Sequence, residues 1–332
     1  MERNILADKL KGYACFLVLF GHVIMGIRLA GVDIPHFFYG IEKFLWSFHV
    51  ALFLFLSGVV YKVTGEWKSK KSKWRFVLYK LYNLGVPYVV FSAVYILINS
   101  LVPQVNTQSS VWDILYIWHT PVAQYWFLYA LFFLFLIWTA LSGILKNRQI
   151  TLITALIGLF VPLSGFSLGC MAVVFSSALA FGLGTSVSFP KLTRPPVWVK
   201  CSVVLVHIAV AVAFILPDKT ETPFIKELLM LLGIYASILF ISMIQNSKPV
   251  SAFLNFINKY SFQIYLLHTI FTAGIRILLL RAGITNWVIH ILLGTVCGIV
   301  FSVLAAEIAK RIKILNFFFF PAKAFKKNTK TP

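Results

Sequence analysis

The chain has 332 residues, 60% of them hydrophobic and 12% charged, with a mean hydropathy of +0.87. Soluble domains carry about 25% charged residues, so the composition excludes an ordinary soluble domain and points to lipid. The net charge of +20 does not indicate nucleic acid, because the charges sit between apolar runs instead of on one basic face.

The first apolar run covers 12–31 and is long enough to cross a bilayer as a helix. It is too long for the apolar core of a signal peptide, lacks a small-x-small cleavage site, and contains His22, so it is expected to be the first span. An ionisable group at that depth is costly unless it faces a cavity or a partner, and by default it marks function. Lys11 lies eleven residues before His22, a rise of about 16 Å and a net rotation of about 20° on a helix. Asp8, Lys11, Cys15, Val18 and His22 therefore form one stripe from the membrane edge inward. The bland alternative is a buried imidazole satisfied by a neighbouring helix.

Further spans are expected at 45–63, 84–102, 126–145, 151–167, 169–187, 197–216, 226–244, 260–280 and 286–312. His49 opens the second, with Ser57 deeper in it. The loop at 62–80 carries seven basic residues, and Arg75 and Lys80 are best placed there to hold a polyanionic ligand. The loop at 103–125 has no Lys or Arg but holds Trp112, Tyr116, Trp118, His119 and Tyr125, the composition of an aromatic belt or a re-entrant segment. Pro162, Ser164, Gly165 and Gly169 make the pair at 151–187 a tight turn or a broken helix. In the ninth span, Tyr265 and His268 are three apart and share a face, with Ser261 four further back. That places His268 at about the depth of His22, so His22, His49 and His268 are candidates for one polar cavity. The other histidines, His36, His119, His207 and His290, show no metal-ligand spacing, and no metal site is expected.

Only Arg28, Lys43, Lys219, Lys226, Arg276 and Arg281, six of the 30 basic residues, fall in outer segments if the chain begins inside. The positive-inside bias therefore favours ten spans with both termini cytoplasmic. The ten acids lie mostly in loops or at span ends, Glu42 among them. They form none of the buried carboxylate chains that proton-coupled transporters use. The organisation expected is a single transmembrane domain over 1–316 followed by a basic cytoplasmic tail at 317–332.

Five motifs in order carry a resemblance to a known family. They are Asp8-x-x-Lys11-Gly12 leading to Phe20-Gly21-His22, then Phe48-His49 leading to Ser57-Gly58, and Val86-Pro87-Tyr88 after a basic stretch. Trp126-Phe127-Leu128-Tyr129 and Tyr260-Ser261 leading to Tyr265-Leu266-Leu267-His268 complete the set. Together they resemble the membrane acyltransferase-3 family, nearest to its bacterial O-acetyltransferase branch for surface polysaccharides. Ala51 stands where that family usually has Pro, Val59 where an aromatic is common, and Asn83 where a basic residue is frequent. Arg75 and Lys80 remain as candidates for that donor-binding part.

The resemblance implies an all-α bundle of about ten transmembrane helices in a bacterial cytoplasmic membrane. It implies transfer of an acyl group, most often acetyl, from cytoplasmic acyl-CoA to a hydroxyl of a cell-surface or lipid-linked glycan. Acyl-CoA would be a co-substrate, with no permanently bound cofactor; membrane lipids and the glycan would be the other partners. His22 would act as general base or acyl acceptor. Lys11 would guide the donor, and His49 and His268 would orient the acceptor or the thioester carbonyl. Trp126 and Tyr265 would contact substrate. The rival class is a transporter or flippase with the three histidines lining its path, which ten spans suit equally well.

Overall fold

The computed structural model describes residues 5–64, 70–164, 166–215, 222–319 and 321, and among these every regular element is helical. The basic tail expected at 317–332 lies almost wholly outside the described residues, as do Glu66, Lys68, Gly165, Asp218, Lys219 and Glu221.

The helices in chain order are α1 (Ile5–Leu29), α2 (Phe37–Trp46), α3 (His49–Thr64), α4 (Lys70–Lys80) and α5 (Val86–Leu101). Then come α6 (Trp126–Leu141), α7 (Asn147–Leu163), α8 (Ala172–Ser186), α9 (Val197–Ile215) and α10 (Pro223–Ile244). The last four are α11 (Lys248–Lys259), α12 (Ser261–Arg281), α13 (Trp287–Ala309) and α14 (Lys313–Phe319). Among the described residues, nine stretches are long and apolar enough to span a bilayer. The tenth expected span is α7, 17 residues long and at the short limit for crossing. The first three spans start well before the sequence suggested. They begin at Ile5, Phe37 and Lys73, because charged residues within helical turns lower local hydropathy without ending the helix.

Two compact units divide the chain. The first comprises Met1–Leu56 and Val187–Val303. Helix α1 is its axis, packed against α2, α10, α11 and α12. Cys15 Sγ lies 3.5 Å from the Ser261 carbonyl and His22 beside His268, so α1 and α12 run parallel in register. Helix α2 runs antiparallel to α1, with Gly21 against Leu45 and Arg28 against Glu42. The carbonyl of Leu254 in α11 comes so close to Gly12 that a side chain there would collide with it. Small residues at such crossings let backbones approach where lipid provides no hydrophobic drive for helix association. The buried Lys9 donates to the Gln245 carbonyl at the end of α10, 2.6 Å away. Helices α9 and α13 leave most of their apolar surface exposed, as lipid-facing helices do.

The second unit comprises Ser57–Ser186 and Leu304–Pro332. Its centre is aromatic: Phe181 meets Trp138, Phe135 and Tyr61, with ring centroids 5.0–6.0 Å apart. Helices α7 and α8 form a hairpin that closes where Gly158 meets the Phe175 carbonyl and Gly182 meets Thr151. Between α4 and α5 the chain widens into a π turn, Leu81–Gly85. Pro87 explains it, since proline has no N–H and its ring would clash with the carbonyl of Asn83 in a regular helix. The 103–125 segment folds into a short 3₁₀ helix, Val111–Tyr116, closed by a Ser110–Asp113 capping box. Trp112, Tyr116 and Trp118 are exposed on it while Tyr125 is fully buried, and the Tyr88 hydroxyl donates to the Ile117 carbonyl.

Candidate active site

Each of the three expected histidines sits on a different helix of the first unit. A helical side chain leans back toward the preceding turn, which lays an imidazole over the carbonyl four residues earlier. His22 Nδ1 donates to Val18 O at 2.8 Å, and His268 Nδ1 to Ile264 O at 2.9 Å. His49 Nδ1 donates to the Leu45 carbonyl. A carbonyl oxygen can only accept, so in the neutral form all three rings carry their proton on Nδ1 and a lone pair on Nε2.

His49 reaches its place through a break in the span. Between α2 and α3 the helix tightens, with Ser47 N–H shared between the Lys43 and Phe44 carbonyls and Phe48 N–H given to Leu45 O. His49 thus sits near the middle of the Phe37–Val63 span instead of opening it. The Phe48 ring fills the space beside Gly233 on α10, which anchors the break.

The rings form a chain of contacts. The centroids of His22 and His268 are 4.9 Å apart and nearly perpendicular, at 78°. Trp46, the last residue of α2, stands edge-on to His22 at 4.9 Å and to His49 at 4.9 Å. The order is therefore His268, His22, Trp46, His49. His49 and His268 are fully buried, and neither Nε2 has a hydrogen-bond partner among the described residues. His22 is half-buried, whereas the other two are fully buried. A ring whose Nε2 carries the lone pair, in a row with two further buried acceptors, suits general-base chemistry.

The other expected residues are more dispersed. Tyr265 is half-buried one turn from His268, ring centroids 6.5 Å apart. Lys11 is half-buried on α1, three turns before His22. Arg75, Lys80 and Trp126 belong to the second unit. Arg75 is exposed on α4, and Trp126 opens α6 half-buried. The Lys80 ammonium faces the Phe135 ring at 3.8 Å, with Phe76 and Tyr79 at 5.1 and 5.8 Å. Among the described residues no group of His, Cys, Asp or Glu has the arrangement of a metal site.

The family model described as an acyltransferase domain matches residues 7–307, which include all five motifs and every histidine of the cluster. The chain belongs to the acyltransferase-3 family. This acyltransferase is therefore a multi-pass membrane protein, and its histidine cluster lies in spans of the matched region. No curated protein and no solved structure matches it at a significant level.

Two features of the acyltransferase's site escaped the sequence. Trp46, which the sequence did not single out, sits between two histidines. Glu42 is not at a loop or span end: it is buried within α2 and held by both ends of the Arg28 guanidinium at 2.8 Å. The spacing of Glu42, Trp46 and His49, four and three apart, was the available signal.

Proposed function

We propose that this acyltransferase transfers an acetyl group from cytoplasmic acyl-CoA to a hydroxyl of a surface or lipid-linked glycan, at a bacterial cytoplasmic membrane. The observation that carries the reading is the half-buried His22 with its Nδ1 proton committed to Val18 O. Its Nε2 lone pair is then the one that takes the proton of the acceptor hydroxyl. The hydroxyl oxygen attacks the thioester carbonyl, the C–O bond forms and the C–S bond breaks. The proton passes from Nε2 to the departing thiolate, which leaves His22 as it began.

The Nδ1–H tautomer also bears on the neighbours. His49 and His268 offer acceptors at Nε2, so they suit hydroxyl groups of the glycan and not the thioester oxygen, which needs donors. Within the first unit, Lys11 on α1 is the proposed contact for the donor's phosphates and Tyr265 that for the sugar; within the second, Arg75 and Lys80 are proposed for phosphate from their charge, and Trp126 for the sugar from its ring. With α1 entered from the cytoplasm, the donor approaches along the Lys11 end and the acceptor from the other.

The test is transfer of label from radiolabelled acetyl-CoA to polymeric or lipid-linked glycan in membranes holding wild type or His22→Ala at equal abundance. Loss of a general base of this kind costs about 10²- to 10⁴-fold. Transfer by His22→Ala at the wild-type rate would remove His22 from the chemistry. Glycan movement without acetyl-CoA consumption would favour the transporter class.

A further inference from the structure

Helix α11 of the first unit is too short to span and two-sided in composition. Its 12 residues measure about 18 Å and lie between the spans α10 and α12. Three contacts fix it against α1. Lys9 reaches the Gln245 carbonyl just before α11, Gly12 meets Leu254 within it, and Cys15 meets the Ser261 carbonyl just after it. From Gln245 to Ser261 a helix parallel to α1 would rise about 24 Å, whereas Lys9 to Cys15 is a rise of only about 9 Å. Helix α11 therefore crosses α1 obliquely, at the level where one neighbouring span ends and the next begins.

Its sides differ in kind. Leu254 and Ile257 are buried, while Phe253 and Phe256 on the same apolar side stay 42% and 45% exposed. These two rings project within about 60° of each other, with Pro249 and Ala252 exposed beside them. The rest of the circumference is polar, formed by Ser251, Asn255 and Asn258, with Asn255 Nδ2 donating to Ser251 Oγ at 3.4 Å. Lys248 and Lys259, eleven residues apart, border it within about 20° of each other. Water disfavours two exposed phenylalanines, and the acyl layer disfavours lysines and amides. The boundary between headgroups and acyl chains suits both sides at once.

We propose that α11 is an interfacial helix whose partner is the lipid surface itself. It lies in the headgroup–acyl boundary of the leaflet at the start of α1. Phe253 and Phe256 enter the acyl layer, and Asn255, Lys248 and Lys259 lie among the headgroups. The Phe253 ring also meets Phe16 edge-on at 5.4 Å, so the anchor grips α1 one turn beyond Gly12. Because α12 begins where α11 ends, the lipid contact sets the level at which α12 starts, whatever reaction the unit performs.

The test uses the full chain in phosphatidylcholine nanodiscs. Benzoylphenylalanine in place of Phe253 or Phe256 should, on illumination, form lipid adducts at least tenfold more often than the same group in place of Asn255, as read by mass spectrometry. Cysteine variants give a second measure without added bulk. Asn255→Cys should react with a membrane-impermeant maleimide at least tenfold faster than Phe253→Cys or Phe256→Cys, and the 248–259 peptide contains no native cysteine to obscure the reading. Equal adduct yields at the three positions, or equal maleimide rates, overturn the proposal. Uniformly fast reaction would mean a face left bare for a protein partner, and uniformly slow reaction a helix sunk among the spans.

Discussion

Gly12 stands in the first motif beside Lys11, and its environment gives it a measurable role. Substituting alanine places a Cβ against the Leu254 carbonyl, with the Leu254 carbon at 3.0 Å and the Asn258 nitrogen at 3.3 Å. The obstacle is backbone, so the two helices must separate by about 1 Å. A gap of that size forfeits a quarter to a half of each contact's attraction. Leu254 and Ile257 are the buried residues of α11, and a buried leucine makes about 40–60 contacts of about 0.1–0.2 kcal/mol each. Losing a quarter of one such set costs about 1–3 kcal/mol, which agrees with the usual cost of overpacking, also about 1–3 kcal/mol. At about 2–4 °C per kcal/mol for a chain of a few hundred residues, Gly12→Ala should lower the Tm by about 2–12 °C. Thermal unfolding of the detergent-solubilised protein, followed by tryptophan fluorescence, measures it. A Tm within 1 °C of wild type would refute the close approach of α1 and α11.

Trp46→Phe should keep most acetyl transfer, because a smaller ring still separates His22 from His49. Trp46→Ala should lower kcat about tenfold or more with a smaller change in KM, since misplacement of a catalytic group costs rate before binding. Breaking the Arg28–Glu42 pair by Glu42→Gln should destabilise by about 1–3 kcal/mol, less than a fully buried pair because the Arg28 side chain is 30% exposed; the charge-reversed double variant should recover part of the lost Tm. Lys80→Met should lose about 0.5–2 kcal/mol of stability through its aromatic cage and raise the KM for acetyl-CoA, whereas Arg75→Ala should raise that KM and leave Tm unchanged; kinetics and thermal melts on the same preparations resolve the two.

How much of this was visible in the sequence differs from residue to residue. Helical depth is arithmetic on rise per residue, so the matching levels of His22 and His268 were legible, and the structure sets their rings side by side. What arithmetic cannot supply is rotation about an axis relative to a partner. That is why Trp46 was invisible: its role depends on a tightened turn at Ser47–Phe48 that no apolar periodicity announces. Helix α2 was hidden for another reason. Glu42 and Lys43 depress a hydropathy window, while the cation that neutralises Glu42 sits 14 residues away on α1. Helix α11 was counted as a basic loop because Lys248 and Lys259 lie at its two ends, although Leu254 and Ile257 between them keep a buried face. The π turn before α5, by contrast, follows from Pro87 alone once the helix is known to continue through it.

The parallel pairing of α1 with α12 has a consequence for how the protein is made. His22 is synthesised 246 positions before its neighbour His268. At about 5–20 residues per second, α1 waits roughly 10–50 s for α12 to emerge. Through that interval the imidazole and the surfaces of Cys15 and Gly26 stay unsealed, held by whichever helices have already arrived. The His22–His268 contact thus forms only once α12 arrives, and chains arrested before α12 insert without it.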